Sequence, residues 1–318
     1  MDVNALSEET AIMIQLADSA LSALRWTLEM DTEHQPVNES LAIRIGAISG
    51  LKTFPVVAQK VISLLSKTDF TIDEITETIR QDPSLAAGVL RLSNSPFYMA
   101  THPITSLDLA FIRLGRNTVR EVIFAVATMQ LFPDTRGLGR LIRDHCAAVA
   151  AIAHLLSARL RIGTPEIMFL AGLMHDIGIM LFIDSGEVQY NFSREGAFES
   201  EFRFRDAELT QMGFDHSVLG AQVLNRWKTG APIPQIVACH HLPDLANQTP
   251  EISSLVALLR LANSVDYVLS SGVADADTFA ITQHENDECR MLNLGKDALL
   301  QLWPEIIAAR EHSQSLFP

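Results

Sequence analysis

The sequence predicts an all-α protein, on three observations. Apolar residues recur at helical spacing almost throughout, strand-like alternation is scarce, and helix start signals head the apolar stretches. Val61, Ile62, Leu64 and Leu65 share one helical pattern, and Val149, Ile152, Leu156 and Leu160 another. Hydrophobic residues make up 48% of the 318 and charged ones 19%, which is enough apolar material for a core and too little charge for disorder.

Taken in order, residues 1–40 read as an extension: one amphipathic helix carrying Ile12, Leu16, Leu21 and Leu24, then the polar link DTEHQPVNES. Its leucine face fits either the rest of the chain or a second copy, as in a homodimer. Residues 41–135 read as a block of short helices. Thr71 and Glu74 form a capping box ahead of Ile75 and Ile79, and Asp82-Pro83-Ser84 starts the next helix. Gly115 stands where a helix ending at Leu114 needs a left-handed residue. Residues 138–318 read as a second helical bundle. Thr164-Pro165-Glu166 and Ile233-Pro234 mark starts within it, and two polar stretches, 184–206 and 275–288, interrupt it as loops or short helices.

Lys and Arg total 24 against 38 Asp and Glu, a net charge of -14. That balance argues against direct nucleic-acid binding and against docking on anionic membranes. Three cysteines without a CxxC spacing, Cys146, Cys239 and Cys289, point to a reducing compartment. The first residues lack the basic and apolar regions of a signal peptide, and the apolar runs fall short of a membrane span. The expectation is a soluble cytoplasmic protein.

The chemistry-bearing residues are histidines and carboxylates. His175-Asp176 ends the apolar helix Ile167 to Met174, where a buried His and Asp are costly unless paired. A divalent ion would pair them, since imidazole and carboxylate both suit one. His145 reads as beginning a helix, His216 follows an N-capping Asp215, and His240-His241 lie on the helix opened by Pro234. His154, among Ile152, Leu155 and Leu156, reads as a core histidine. The same residues also suit a hydrogen-bonded polar cluster that ties the bundle together.

The order H, HD, H, HH resembles the HD superfamily of metal-dependent phosphohydrolases, and more of the chain resembles one branch, the HDOD (HD-related output domain) proteins of bacterial signalling. The likeness runs over about residues 45–310. It is carried by Gln81 to Leu85, Leu90 to Tyr98, Ile104 to Gly115, Gly172 to Gly178, and Glu208, Gly213, His216, Gly220 and Trp227. It implies an HDOD fold for 41–318, with an N-terminal helical block and an HD-like bundle. It also implies a metal site of up to two ions (iron, manganese or zinc). His145 and His175 would serve one ion, His216, His240 and His241 the other, and Asp176 would bridge them.

Three departures stand out. The final Asp of the metal motif is Asn263, a neutral donor, and Asp266, one turn later, is the candidate substitute. Ile179 stands where catalytic relatives carry lysine. His241-Leu242-Pro243-Asp244 lacks a GYP loop for a cyclic dinucleotide. Arg226 and Lys228 are the only cations near the HD and HH motifs in sequence. The resemblance with these departures implies a non-catalytic signalling output module that acts through protein partners, with Asn94 to Tyr98 as a candidate partner surface or an inter-helix turn. The alternative is a metal-dependent phosphohydrolase, with metal-bound hydroxide as nucleophile.

Overall fold

The computed structural model of the chain describes residues 39–50, 52–98, 102–132, 137–190, 202–242, 245, 247–271, 287–314 and 316. The predicted N-terminal helix lies outside them, as do parts of both polar interruptions. The described residues hold helices and no strand. In chain order these are α1 (Glu39–Ser49), α2 (Val56–Leu65), α3 (Ile72–Arg80), α4 (Pro83–Ser93), a 3-10 turn (Pro96–Tyr98), α5 (Leu107–Gln130), α6 (Gly137–Leu160) and α7 (Pro165–Met174). Then follow α8 (Ile177–Ser185), α9 (Phe202–Met212), α10 (His216–Arg226), α11 (Ile233–Cys239), α12 (Pro250–Ser271), α13 (Asp287–Met291) and α14 (Lys296–Ser313). They form two compact units. One contains α1 and α8 to α11; the other contains α2 to α7 and α12 to α14.

In the second of these units the start signals work as the sequence predicts. The Thr71 hydroxyl accepts from the Glu74 amide at 3.2 Å while the Glu74 carboxylate accepts from the Thr71 amide at 3.0 Å. Asp82 caps α4 through the Leu85 amide, and Ser106 caps α5 through that of Leu109. Gly115 breaks α5 with a φ of 75°, a left-handed conformation that a Cβ would strain. The first helical segment thus stops at Leu114 as read from the sequence, and a second continues across the kink to Gln130.

The segment after α4 is a braced turn. The Asn94 carboxamide accepts from the Ile104 amide at 2.7 Å and donates to the Ile104 and Leu90 carbonyls, each at 2.8 Å. Phe97 packs against His154 and Phe169, so His154 sits in an aromatic cluster, and burial lowers its pKa. Long α6 carries α7, α12 and α14 against it. Gly172 makes the α6–α7 approach feasible: a Cβ there would stand 2.7 Å from the Ala150 Cα.

In the other unit, α1 packs on α8 and α10. Arg44 donates to the Met212 carbonyl at 2.9 Å, and Arg226 donates to the Gly46 carbonyl at 2.9 Å and to the Ser49 hydroxyl at 2.7 Å. Arg226 is thereby bound to α1.

Three stretches, Gly137–Leu160, Pro165–Ser185 and Pro250–Ser270, have the length and apolarity of a membrane span, longer than the apolar runs alone suggest. Their most apolar windows are 78%, 83% and 61% buried in the fold, so most of that apolar surface is covered by other residues of the chain.

Two measurements check this packing. Thr71→Ala removes a cap from α3, and chemical denaturation should show a loss of about 1 kcal/mol. Glu121, on α5, has its carboxyl pushed up to about 7, by burial first and then by Glu166, with Arg120 opposing. The folded state therefore holds a proton that the unfolded chain releases, and stability should fall as pH rises from about 4.5 to about 7. Glu121→Gln should flatten that slope relative to wild type.

Candidate metal centre

The centre begins where α7 stops. His175 and Asp176 form the two-residue break between α7 and α8, at 0% and 4% exposure. Asp176 stands at the N-cap position of α8, yet its carboxylate caps no amide. It turns to histidines instead. Its Oδ2 lies 3.3 Å from His175 Nε2, and its Oδ1 lies 3.3 Å from His216 Nε2 and 3.7 Å from His240 Nε2.

Local sequence explains how these groups meet. Asp215 caps α10, accepting from the Val218 amide at 3.3 Å, and so sets His216 as the helix's first residue. Gly178, in the first turn of α8, lies against that residue: a Cβ would fall 2.1 Å from the His216 carbonyl oxygen. Gly220 lies alongside, where a Cβ would meet Ile177 at 3.1 Å. Gly178 is therefore a point where two backbones touch and Gly220 one where side chains crowd a helix, and together they bring Asp176 to His216.

The HH pair differs from the sequence expectation. Helix α11 ends at Cys239, His240 is its C-cap, and His241 follows the helix. The shorter helix lets both rings turn to one side, with centroids 3.9 Å apart. His240 Nδ1 donates to the Val237 carbonyl at 2.5 Å, which leaves Nε2 toward Asp176. The Nε2 atoms of His216 and His241 are 2.8 Å apart. One donor atom each from Asp176, His216, His240 and His241 fits within a 4.8 Å span.

Charge is concentrated here. Burial pushes the Asp176 carboxyl up, but His175 and hydrogen bonds from His175, His216 and His240 outweigh it and hold the group well below the usual range. Burial also opposes charge on His216, yet Glu208 and Asp176 hold it well above the usual imidazole value. Burial lowers His240 to about 4 and takes His241 well below its usual value, with neighbouring histidines adding to the effect.

The other candidate residues lie in the other unit. His145 is not at a helix start: α6 begins eight residues earlier, at Gly137, and places His145 inside it at 5% exposure. Its Nδ1 donates to Asp266 Oδ2 at 2.7 Å, and Tyr267 packs on its ring. Asp266 Oδ1 accepts from Arg310 Nε at 2.6 Å. Both Asp266 oxygens are thus engaged, one in orienting His145. His145 and Arg310 together hold its carboxyl down against burial. Asn263, at 6% exposure, lies one turn earlier on α12. Sequence reasoning missed Arg310, which comes from α14, 44 residues beyond Asp266.

Comparison with known proteins agrees with this architecture. Residues 51–243 match the HDOD domain. An uncharacterised protein of Treponema pallidum is 20% identical over 74% of this chain, and the chain spans 45% of that curated relative's length. The crystal structure of an HDOD domain protein of unknown function from Geobacter sulfurreducens is 26% identical, with a TM-score of 0.66 over 87% of this chain and 97% of that one. A provisionally named phosphohydrolase from Shewanella amazonensis is 21% identical, with a TM-score of 0.68 over 89% and 99%. A provisionally named signal transduction protein from Marinobacter aquaeolei is 19% identical, with a TM-score of 0.61 over 95% and 65%.

The Gly178 contact supplies a test. Gly178→Ala should force α8 away from α10 and lower stability by about 1–3 kcal/mol in urea melts. A variant as stable as wild type would mean that the two helices are not held by that approach.

Proposed function

The chain belongs to the HDOD family, and we propose that it is a regulatory output module of bacterial signal transduction. On this reading it is non-catalytic, works in the cytoplasm, holds divalent metal at the histidine cluster and acts through contacts with partner proteins. The observation that carries the metal part is the spacing of the inward-facing donors. Their neighbouring separations, 2.8 Å between His216 and His241 and 3.3 and 3.7 Å from Asp176 to His216 and His240, match the edges of a coordination shell. Bonds of about 2.1 Å give edges of roughly 3.0 Å in an octahedron and roughly 3.4 Å in a tetrahedron. Imidazole with one carboxylate suits zinc, manganese or iron. Bound metal would supply a Lewis acid and an activated water.

The regulatory part rests on what surrounds the donors. A phosphohydrolase also needs cations aimed at the phosphate. Ile179 has 1% exposure and belongs to the apolar core. Arg205 is ion-paired with Asp215 at 2.7 Å, and Arg226 is bound to α1. Asn263 adds no charge. Arg205 and Arg226, two of the described cations nearest these motifs, are therefore engaged in holding the fold together.

One observation favours the second reading, a metal-dependent phosphohydrolase. Asp176 presents one oxygen to His175 and the other to His216 and His240, the arrangement of a carboxylate that bridges two ions. A direct test separates the two. Protein purified without chelator or affinity metal should carry iron, manganese or zinc by elemental mass spectrometry. Asp176→Ala, folded by circular dichroism, should lose it. Neither should turn over phosphodiesters or nucleotides. Turnover by wild type that Asp176→Ala abolishes would replace the regulatory reading with the hydrolytic one, and metal-free wild type would overturn the metal site.

A further inference from the structure

We infer that Glu208 is the positioning residue of this centre: it locks the His216 ring with Nε2 toward the cluster, and Tyr190 locks Glu208. The inference rests on the metal reading above and deepens it. Glu208, on α9, has 0% exposure. Its Oε2 accepts twice from one residue, from His216 Nδ1 at 2.7 Å and from the His216 backbone amide at 2.8 Å. Its Oε1 accepts from the Tyr190 hydroxyl at 2.7 Å.

The chemistry follows from these three contacts. A carboxylate oxygen that accepts from Nδ1 fixes a proton on that nitrogen and leaves Nε2 as the ligating atom. Because the same oxygen holds the His216 amide, the ring is clamped relative to the first turn of α10. That amide is also one of the orphan donors of a helix start, so the clamp satisfies a group that needs a partner. The negative charge raises the basicity of the imidazole, which strengthens it as a ligand. At the corresponding nitrogen His240 meets a neutral carbonyl, that of Val237. His216 is thus the one of these two ligands with a charged support, and Tyr190 keeps that support from rotating.

Glu208→Gln preserves volume and removes the charge. Binding of Zn(II) alone, measured by competition with a chromophoric chelator, should weaken about ten- to a hundredfold. The melting temperature of the metal-free variant should stay near wild type, which separates positioning from packing. Tyr190→Phe should weaken zinc binding by less, about two- to tenfold, and it decides the matter if Glu208→Gln does not fold. Affinity equal to wild type in a folded variant would overturn the inference. Wild type that takes up no zinc would instead overturn the metal reading. The lock is then read by NMR in the metal-free proteins. The His216 Nδ1 proton should be downfield and slow to exchange in wild type and shift upfield in Glu208→Gln, and an unchanged resonance would overturn the role given to Glu208.

Discussion

Asp176 is a carboxylate at 4% exposure inside a helical unit, held ionised by the imidazoles beside it. An isolated ion at that depth would be prohibitively costly, so its partners are structural requirements before they are anything else. Helix α7 must stop at Met174 so that His175 and Asp176 can leave the helical path. Gly178 must lack a side chain so that α10 can come within reach. Asp215 must cap α10 so that His216 is its first residue. Helix α11 must end at Cys239 so that His240 and His241 both turn inward. Loss of any one of these leaves a buried charge short of a partner.

A second tier of polar groups holds the histidines themselves. His216 donates to Glu208 and His240 donates to the Val237 carbonyl, so Nδ1 of each ring is committed and Nε2 is presented. In the other unit, His145 is held in the same manner by Asp266, which Arg310 supports from α14. The recurrence of one device matters more than any single bond. Each of these three imidazoles has its tautomer set by an acceptor that cannot donate, and rings fixed in this way are preorganised for an ion.

Much of this was legible in sequence because it depends on local rules. The capping box at Thr71, the cap at Asp215, the left-handed residue at Gly115 and the HD and HH pairs are set by neighbours within four residues. What was not legible is set at long range. Asp266 reads as a substitute ligand from its place one turn after Asn263, but Arg310 and His145 take both of its oxygens, and neither is near it in sequence. His145 reads as a helix start, although α6 begins at Gly137. Glu208 stood only as one letter of a family pattern, since nothing at a distance of eight residues shows that its carboxylate holds both the ring and the amide of His216. The glycines at 178 and 220 carried the same ambiguity: flexibility and close approach look identical in sequence, and here it is close approach.

The placement of the donors also bears on what an ion could do for a regulatory module of the kind proposed. Asp176 stands at the head of α8, His216 at the head of α10, and His240 and His241 at the end of α11. An ion held by all four joins three helix termini, the parts of helices that fray most readily. Binding at a hundred times its dissociation constant would add about 2.7 kcal/mol to the stability of the bound state. That increment falls on a junction of helices, so occupancy would change how firmly their surfaces are held. Metal occupancy in this unit would thus bias which of its surfaces are ordered for a partner, without a cationic clamp and without chemistry on a substrate.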